Sequence, residues 1–379
     1  MTELYIGLMS GTSLDGVDGV LADFSGARLR VIAHAHAPFC ADLRAEFLAL
    51  NSPGADEIHR AALAANTLAR VYGDVVARLL QASDTPRSQV MAIGAHGQTV
   101  RHRPQAFDGN GYTTQLNNPA LLAELTGIDV VADLRSRDVA AGGQGAPLVP
   151  AFHREAFGRP DAAIAVMNIG GISNISLIPA QNSASAVAVL GFDCGPGNAL
   201  MDHWCQQHTG QAFDDAGRWA AQGHVDPELL GELLDEPYFA KPPPKSTGRD
   251  LFSVAWLQQK LARFAALPAV DVQATLTELT AMSCADCVVG AKISSKTLVV
   301  CGGGALNTTL MRRLQQHLPG VQVASSDNFG LPPLQVEATA FAWLARKTLR
   351  RETGNLPQVT GAKKGADEGA RILGAIYPA

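Results

Sequence analysis

The chain has 379 residues, 47% of them hydrophobic and 17% charged, with a formal net charge of −5. That is apolar material enough for two packed domains and too much for a disordered chain. The acidic balance argues against a nucleic-acid partner, no uninterrupted apolar run reaches the roughly 18 residues of a membrane span, and no basic leader is visible, so a cytoplasmic protein is expected.

The chain opens on an apolar run, Leu4 to Leu8, which reads as a buried strand. A turn follows that holds Gly11, Thr12, Ser13, Leu14, Asp15 and Gly16, and a second strand runs from Val17 through Asp18 to Phe24. Strand, small polar turn, strand presents backbone N–H groups and hydroxyls to a phosphate, and glycine permits close approach. The same residues also make an ordinary hairpin.

Leu29 to His36 predicts a third strand, and Ala41–Leu50 and Ala55–Ala82 predict helices. Val90 to Ala95 is a short apolar strand that delivers His96, Gly97, Gln98 and Thr99 at its C-terminal end, where α/β folds place their ligand clefts. Thr113–Leu116 reads as a strand. Asn118, Pro119 and Gly127 then frame a helix with a cap, an N1 proline and a C-terminal glycine. Val130–Ala132 is a strand leading into Arg135, Arg137 and Asp138, either cleft residues or a solvated ion-pair cluster. The glycine-rich stretch from Ala140 to Pro150, with Gln144 inside it, marks the domain boundary. An N-terminal domain over 1–136, joined by 350–379, and a C-terminal domain over 137–349 are expected.

The second half opens as the first did. Ile164 to Ile178 is strand, polar turn (Asn168, Gly170, Gly171, Ser173), strand, a repeat visible as pattern rather than identity. Val189 begins a strand ending at Asp193, followed by a Gly-Pro-Gly turn and Asn198 before a helix over Ala199–Gln206. An acid beside backbone amides and a helix start suits general-base work, or merely bonds its own turn. Phe213 to Asp250 reads as polar loop without a Walker A order. Helices over Val254–Phe264 and Val272–Val289 follow. Thr297–Cys301 is then a buried strand running into Gly302, Gly303 and Gly304, bare backbone against which a flat ring can lie, and a helix over Thr308–His317. Glu337 falls near the first turn of a helix within Pro332–Ala345. Cys284 and Cys287 form one C-x-x-C pair within a helical pattern, and with no second pair they read, like the four other cysteines, as reduced thiols.

Taken together, Gly7–Asp18, His96–Thr99, Asp138–Pro150, Asn168–Asn174, Gly191–Asn198 and Cys301–Gly304 closely resemble, in order and from residue 4 to the C-terminus, the motifs of anhydro-N-acetylmuramic acid kinases. The resemblance implies an α/β fold of two actin-like (ribonuclease H-like) domains flanking a nucleotide cleft. It implies ATP and Mg²⁺, a homodimer in the cytoplasm with no nucleic-acid or membrane partner, and a role in cell-wall recycling. The implied reaction converts 1,6-anhydro-N-acetylmuramic acid, ATP and water to N-acetylmuramic acid 6-phosphate and ADP. By resemblance Asp193 is the base acting on water. Gly11, Thr12, Ser13, Leu14, Asp15, Gly16, Val17 and Asp18 cradle phosphates, with Asn168, Gly170, Gly171 and Ser173 facing them. Gly302, Gly303 and Gly304 back the adenosine. His96, Gln98, Arg137, Gln144 and Glu337 are weaker candidates for sugar contact, and the protein ligands of Mg²⁺ stay open. An ordinary sugar kinase of the same fold and a non-catalytic ATP-dependent binding module are the rival readings.

Overall fold

A computed structural model describes residues 2–11, 13–182, 188–243, 245–248, 251–291, 295–363 and 368–379. These divide into two compact units, Met1–Ala156 with Gln335–Ala379, and Phe157–Leu334. The first unit contributes β1 (Leu4–Met9), β2 (Gly16–Asp23), β3 (Arg30–Pro38), β4 (Val90–Ala95), β5 (Gln98–Pro104), β6 (Gly111–Leu116) and β7 (Val130–Ala132). The second contributes β8 (Ile164–Ile169), β9 (Ile172–Ile178), β10 (Leu190–Pro196), β11 (Thr297–Cys301) and β12 (Gln322–Ser325), and β13 (Ala375–Tyr377) returns to the first.

Within the first unit the main sheet has the order β13-β7-β4-β1-β2-β3, and the second unit's sheet has the order β10-β9-β8-β11-β12. β1 pairs antiparallel with β2 and parallel with β4, just as β8 pairs antiparallel with β9 and parallel with β11. The third strand of each meander, β3 or β10, pairs antiparallel with the second. This is the actin-like, ribonuclease H-like strand order, present twice, and it gives the repeated sequence pattern a structural meaning. Both central strands are buried nearly throughout, which is why they read as unbroken apolar runs.

Two glycines fix how the first sheet is covered. A Cβ at Gly7 would run into the carbonyl of Ala338 and the amide nitrogen of Ala342, and one at Gly94 into the carbonyl of Phe341. The helix Val336–Leu349 therefore lies directly on the backbone of β1 and β4. Gly19, the register partner of Leu8, is covered instead by Val75 and Leu79 of the long helix Glu57–Ser83. Gly7 and Leu8 point to opposite faces, so the two helices sandwich the sheet.

The units divide after Ala156 and Leu334 rather than at 136 and 349, for a physical reason. Helix Val336–Leu349 belongs to the first sheet through those glycines, and the helix Ser136–Ala140 is tied to Asn355 and Thr360 by buried Asp138. The polar stretch from Phe213 holds a helix, Pro227–Leu234, whose cap Asp226 accepts from the N–H of Leu229 at 2.8 Å. Asp226-Pro227 was a legible start signal. β5 and the three-residue β13 carry no periodicity of their own and exist through their partners β6 and β7.

Substituting Gly7→Ala or Gly94→Ala should lower unfolding stability by about 2 kcal/mol or more, since backbone rather than a flexible side chain must yield. Urea denaturation measures this, and an unchanged midpoint would show that the helix does not rest on those strands.

Candidate functional site

In the first unit the turn between β1 and β2 closes through the Leu14 N–H donating to Gly11 O at 3.3 Å, with Leu14 itself buried at φ 57°. Thr12 lies outside the described residues. The two glycines of the turn do different jobs. A Cβ built at Gly11 would meet only ordinary contacts, Ser13 Oγ at 3.5 Å and Met9 Cε at 3.9 Å, whereas one at Gly16 would collide with the Ala37 carbonyl across β3. Gly16 is therefore a packing glycine. The Ser13 hydroxyl donates to Asp15 Oδ1 at 2.7 Å, and the Asp15 side chain is exposed. Asp18 Oδ1 lies 3.2 Å from both His34 Nε2 and His36 Nδ1. Val17 is core.

His96 and Gln98 are brought against this turn. His96 Nδ1 lies 3.1 Å from Ser10 O, and Gln98 Nε2 donates to Gly11 O at 3.1 Å. Ser10 is held in turn by Tyr72 OH at 2.9 Å and by Gly97 O at 3.0 Å. Arg135 Nε and Nη2 approach His96 Nε2 at 3.1 and 2.9 Å. A carbonyl only accepts, so Nδ1 carries the ring proton, and Nε2 accepts from the guanidinium; the imidazole is neutral. Burial first, and then the Arg135 charge, push its pKa down to about 3. Gln98 is fully buried, and its Oε1 has no hydrogen-bond partner among the described residues.

Arg137 and Gln144 are exposed side chains, although the Gln144 N–H donates to Thr360 O at 2.7 Å. Asp138 is no solvated charge: it is fully buried, accepts from Gly145 N–H at 2.8 Å, and takes donors from Asn355 and Thr360. Glu337 is half-buried, and its charge, with that of Asp138, offsets the burial that lowers the Arg135 pKa to about 10. A cavity of about 240 Å³ between the β5–β6 hairpin and helix Ser136–Ala140 is lined by none of the residues singled out for binding.

In the second unit the β8–β9 turn and the start of helix Ala199–Thr209 interlock. Asn198 N–H donates to Gly170 O at 2.7 Å, Gly197 N–H to Gly171 O at 2.9 Å, and Asn198 Nδ2 to Ile169 O at 3.1 Å. Ser173 is buried, with its hydroxyl donating to Pro196 O at 3.3 Å. The triple glycine packs on the same turn. A Cβ at Gly302, where φ is +76°, would strike Asn168 Oδ1, and one at Gly304 would strike Ile169. Gly303 alone is exposed, with Asn198 Nδ2 3.3 Å from where its Cβ would lie. Asn168 Oδ1 is buried and has no hydrogen-bond partner.

Asp193 sits in β10 opposite Asn174, where the register shifts before Gly195. Burial pushes its carboxyl pKa up, while the N–H of Thr247, donating to Oδ2 at 3.0 Å, and the Ser246 hydroxyl draw it back down. Neither Thr247 nor Ser246 carried a signal in the sequence; a polar loop reveals its partner only in three dimensions. Among the described residues no group of three or more His, Cys, Asp or Glu side chains is arranged to hold a metal ion, and no helix is long and apolar enough to cross a membrane.

A family model described as anhydro-N-acetylmuramic acid kinase matches residues 3–379. The protein of that name from Variovorax paradoxus is 68% identical over 377 residues, covering 100% of this chain and 99% of that one. Its counterpart from Albidiferax ferrireducens is 65% identical over 394 residues, covering 100% of both. Among solved structures, the activator of 2-hydroxyisocaproyl-CoA dehydratase from Clostridium difficile aligns at 11% identity and TM-score 0.48, covering 92% of this chain and 96% of that one.

His96 should give no titration between pH 5 and 8 in ¹⁵N NMR and should show the Nδ1–H tautomer throughout. Its folded pKa lies below the unfolded value of about 6.5, so the unfolded chain takes up a proton first and this group's contribution to stability falls as pH drops below that value. A His96 signal titrating near pH 6.5 would contradict the Arg135 hydrogen bond.

Proposed function

Since the chain belongs to the anhydro-N-acetylmuramic acid kinase family and is a phosphotransferase, we propose that it opens the anhydro ring of 1,6-anhydro-N-acetylmuramic acid with water and transfers the γ-phosphoryl group of ATP to the freed O6. The products are N-acetylmuramic acid 6-phosphate and ADP, and the setting is cell-wall recycling by a cytoplasmic homodimer. The observation that carries this reading is Asp193: a half-buried carboxylate, raised in pKa, at a bulge in an edge strand that ends at the start of a helix. Raised basicity in a carboxylate is what a general base needs.

In this mechanism Asp193 takes one proton from the water that attacks the anomeric carbon. The bond from that carbon to O6 breaks, and O6 needs no base of its own because it leaves as an oxyanion and attacks phosphorus. Gly11, the Ser13 hydroxyl and the backbone of the first turn bind phosphate oxygens. The Gly170–Gly171 turn is a second candidate phosphate-binding turn, and exposed Gly303 is a candidate adenosine contact. The buried, unpartnered acceptor of Gln98 takes a donor from the sugar, and His96, Arg137, Gln144 and Glu337 are proposed as further sugar contacts. Mg²⁺ on nucleotide phosphates takes oxygen ligands and water. The exposed Asp15 carboxylate and the nearby Asp18 fit that donor set. The ion would neutralise charge on the transferring phosphoryl group.

Asp193→Asn should retain nucleotide and anhydro-sugar binding by calorimetry while kcat falls at least about 100-fold. Near-normal kcat in this variant would remove Asp193 as the base. Asp15→Asn should raise the Mg-ATP requirement several-fold; an unchanged dependence would remove Asp15 from the nucleotide site.

A further inference from the structure

β10 is the edge strand of the second sheet, and the register shift after Asp193 loosens its pairing with β9 where the acid must be aimed. The residues 245–247 take up that open edge. The Asp193 N–H donates to Lys245 O at 3.1 Å, the Thr247 N–H donates to Asp193 Oδ2 at 3.0 Å, and the Ser246 hydroxyl draws the pKa of the same carboxylate down. A second tether closes the arrangement. Tyr238 OH donates to Asp193 O at 2.8 Å, while Lys245 Nζ donates to Phe239 O at 3.1 Å and stands 4.9 Å from the centre of the Tyr238 ring. Phe239 also fills the space where a Cβ on Gly195 would lie, 2.7 Å from its Cε1.

We infer that Ser246 and Thr247 are positioning residues for Asp193, fixing the direction of its carboxylate with a side-chain hydroxyl and a backbone N–H. The inference rests on the reading of Asp193 as the base. Among the described residues, Tyr238 on the short helix Pro237–Ala240 interacts electrostatically with Asp193, and uncharged Asn174 lies opposite on β9. Cys194 on β10 and Cys287 on helix Ala269–Val289 act on Tyr238, and Lys245 acts on Cys287. Tyr238 is pushed far up by burial, and Cys194 likewise. Ser246 is exposed, so removing its hydroxyl leaves the core untouched.

The test compares Ser246→Ala, Ser246→Thr, Thr247→Pro and Asp193→Asn in the intact enzyme, with kcat, KM for Mg-ATP and the pH dependence of kcat. Ser246→Ala should lose about tenfold in kcat with KM for ATP unchanged, as expected for one hydrogen bond to a charged group. Its acid limb should move to higher pH, because the lost donor favoured the ionised carboxylate. Ser246→Thr should restore both, and Thr247→Pro should move the acid limb the same way. Wild-type kcat and acid limb in Ser246→Ala, beside an inactive Asp193→Asn, would overturn the positioning role alone. Full activity in Asp193→Asn would overturn the base assignment and this inference together. Should Thr247→Pro unfold, Ser246→Ala decides the matter.

Discussion

A strand buried on both faces has no room for polar side chains until it ends. β1 and β8 are such strands, and the proposed phosphate-binding turns lie where they stop. Each turns back at once into an antiparallel neighbour, so the polar residues are compressed into a turn a few residues long. The glycines beneath them follow from the same constraint. Gly7 and Gly94 exist so that a helix can lie on the backbone of the sheet, and the helix in turn brings Phe341 within 4.7 Å of the His96 ring.

That logic separates two kinds of polar residue. Asp138 and His96 are buried and spend their hydrogen-bonding capacity inside the protein, one tying the 355–360 segment to Gly145, the other locking the first turn to Arg135. Such groups are costly to bury and correspondingly specific once satisfied. Asp193 is different. Burial raises its proton affinity, and a neighbouring backbone N–H and hydroxyl limit the rise.

Much of this was legible in the sequence. The apolar runs gave β1, β4, β8 and β11, the repeated strand–turn–strand pattern foretold two sheets of one strand order, and Asn118 and Pro119 marked their helix. Motifs pointed to the family, which the comparisons establish. What stayed hidden was partnership across long sequence distances. Arg135 and Asp138 could be read either as cleft residues or as a solvated ion-pair cluster, because their partners His96, Asn355 and Thr360 lie far along the chain. Gly16, Gly302 and Gly304 looked like room for a ligand, yet a Cβ at each would meet the protein's own atoms. The polar stretch after Phe213 concealed the segment that holds Asp193.

The central claim, a kinase whose phosphoryl acceptor is created by ring opening, is tested most directly by ADP release with Mg-ATP and 1,6-anhydro-N-acetylmuramic acid, run beside N-acetylmuramic acid. The account predicts ADP release with the anhydro-sugar alone, with a ring-opened 6-phosphorylated product. Equal turnover of both sugars would contradict it, since the acceptor oxygen would then need no ring opening to become a nucleophile.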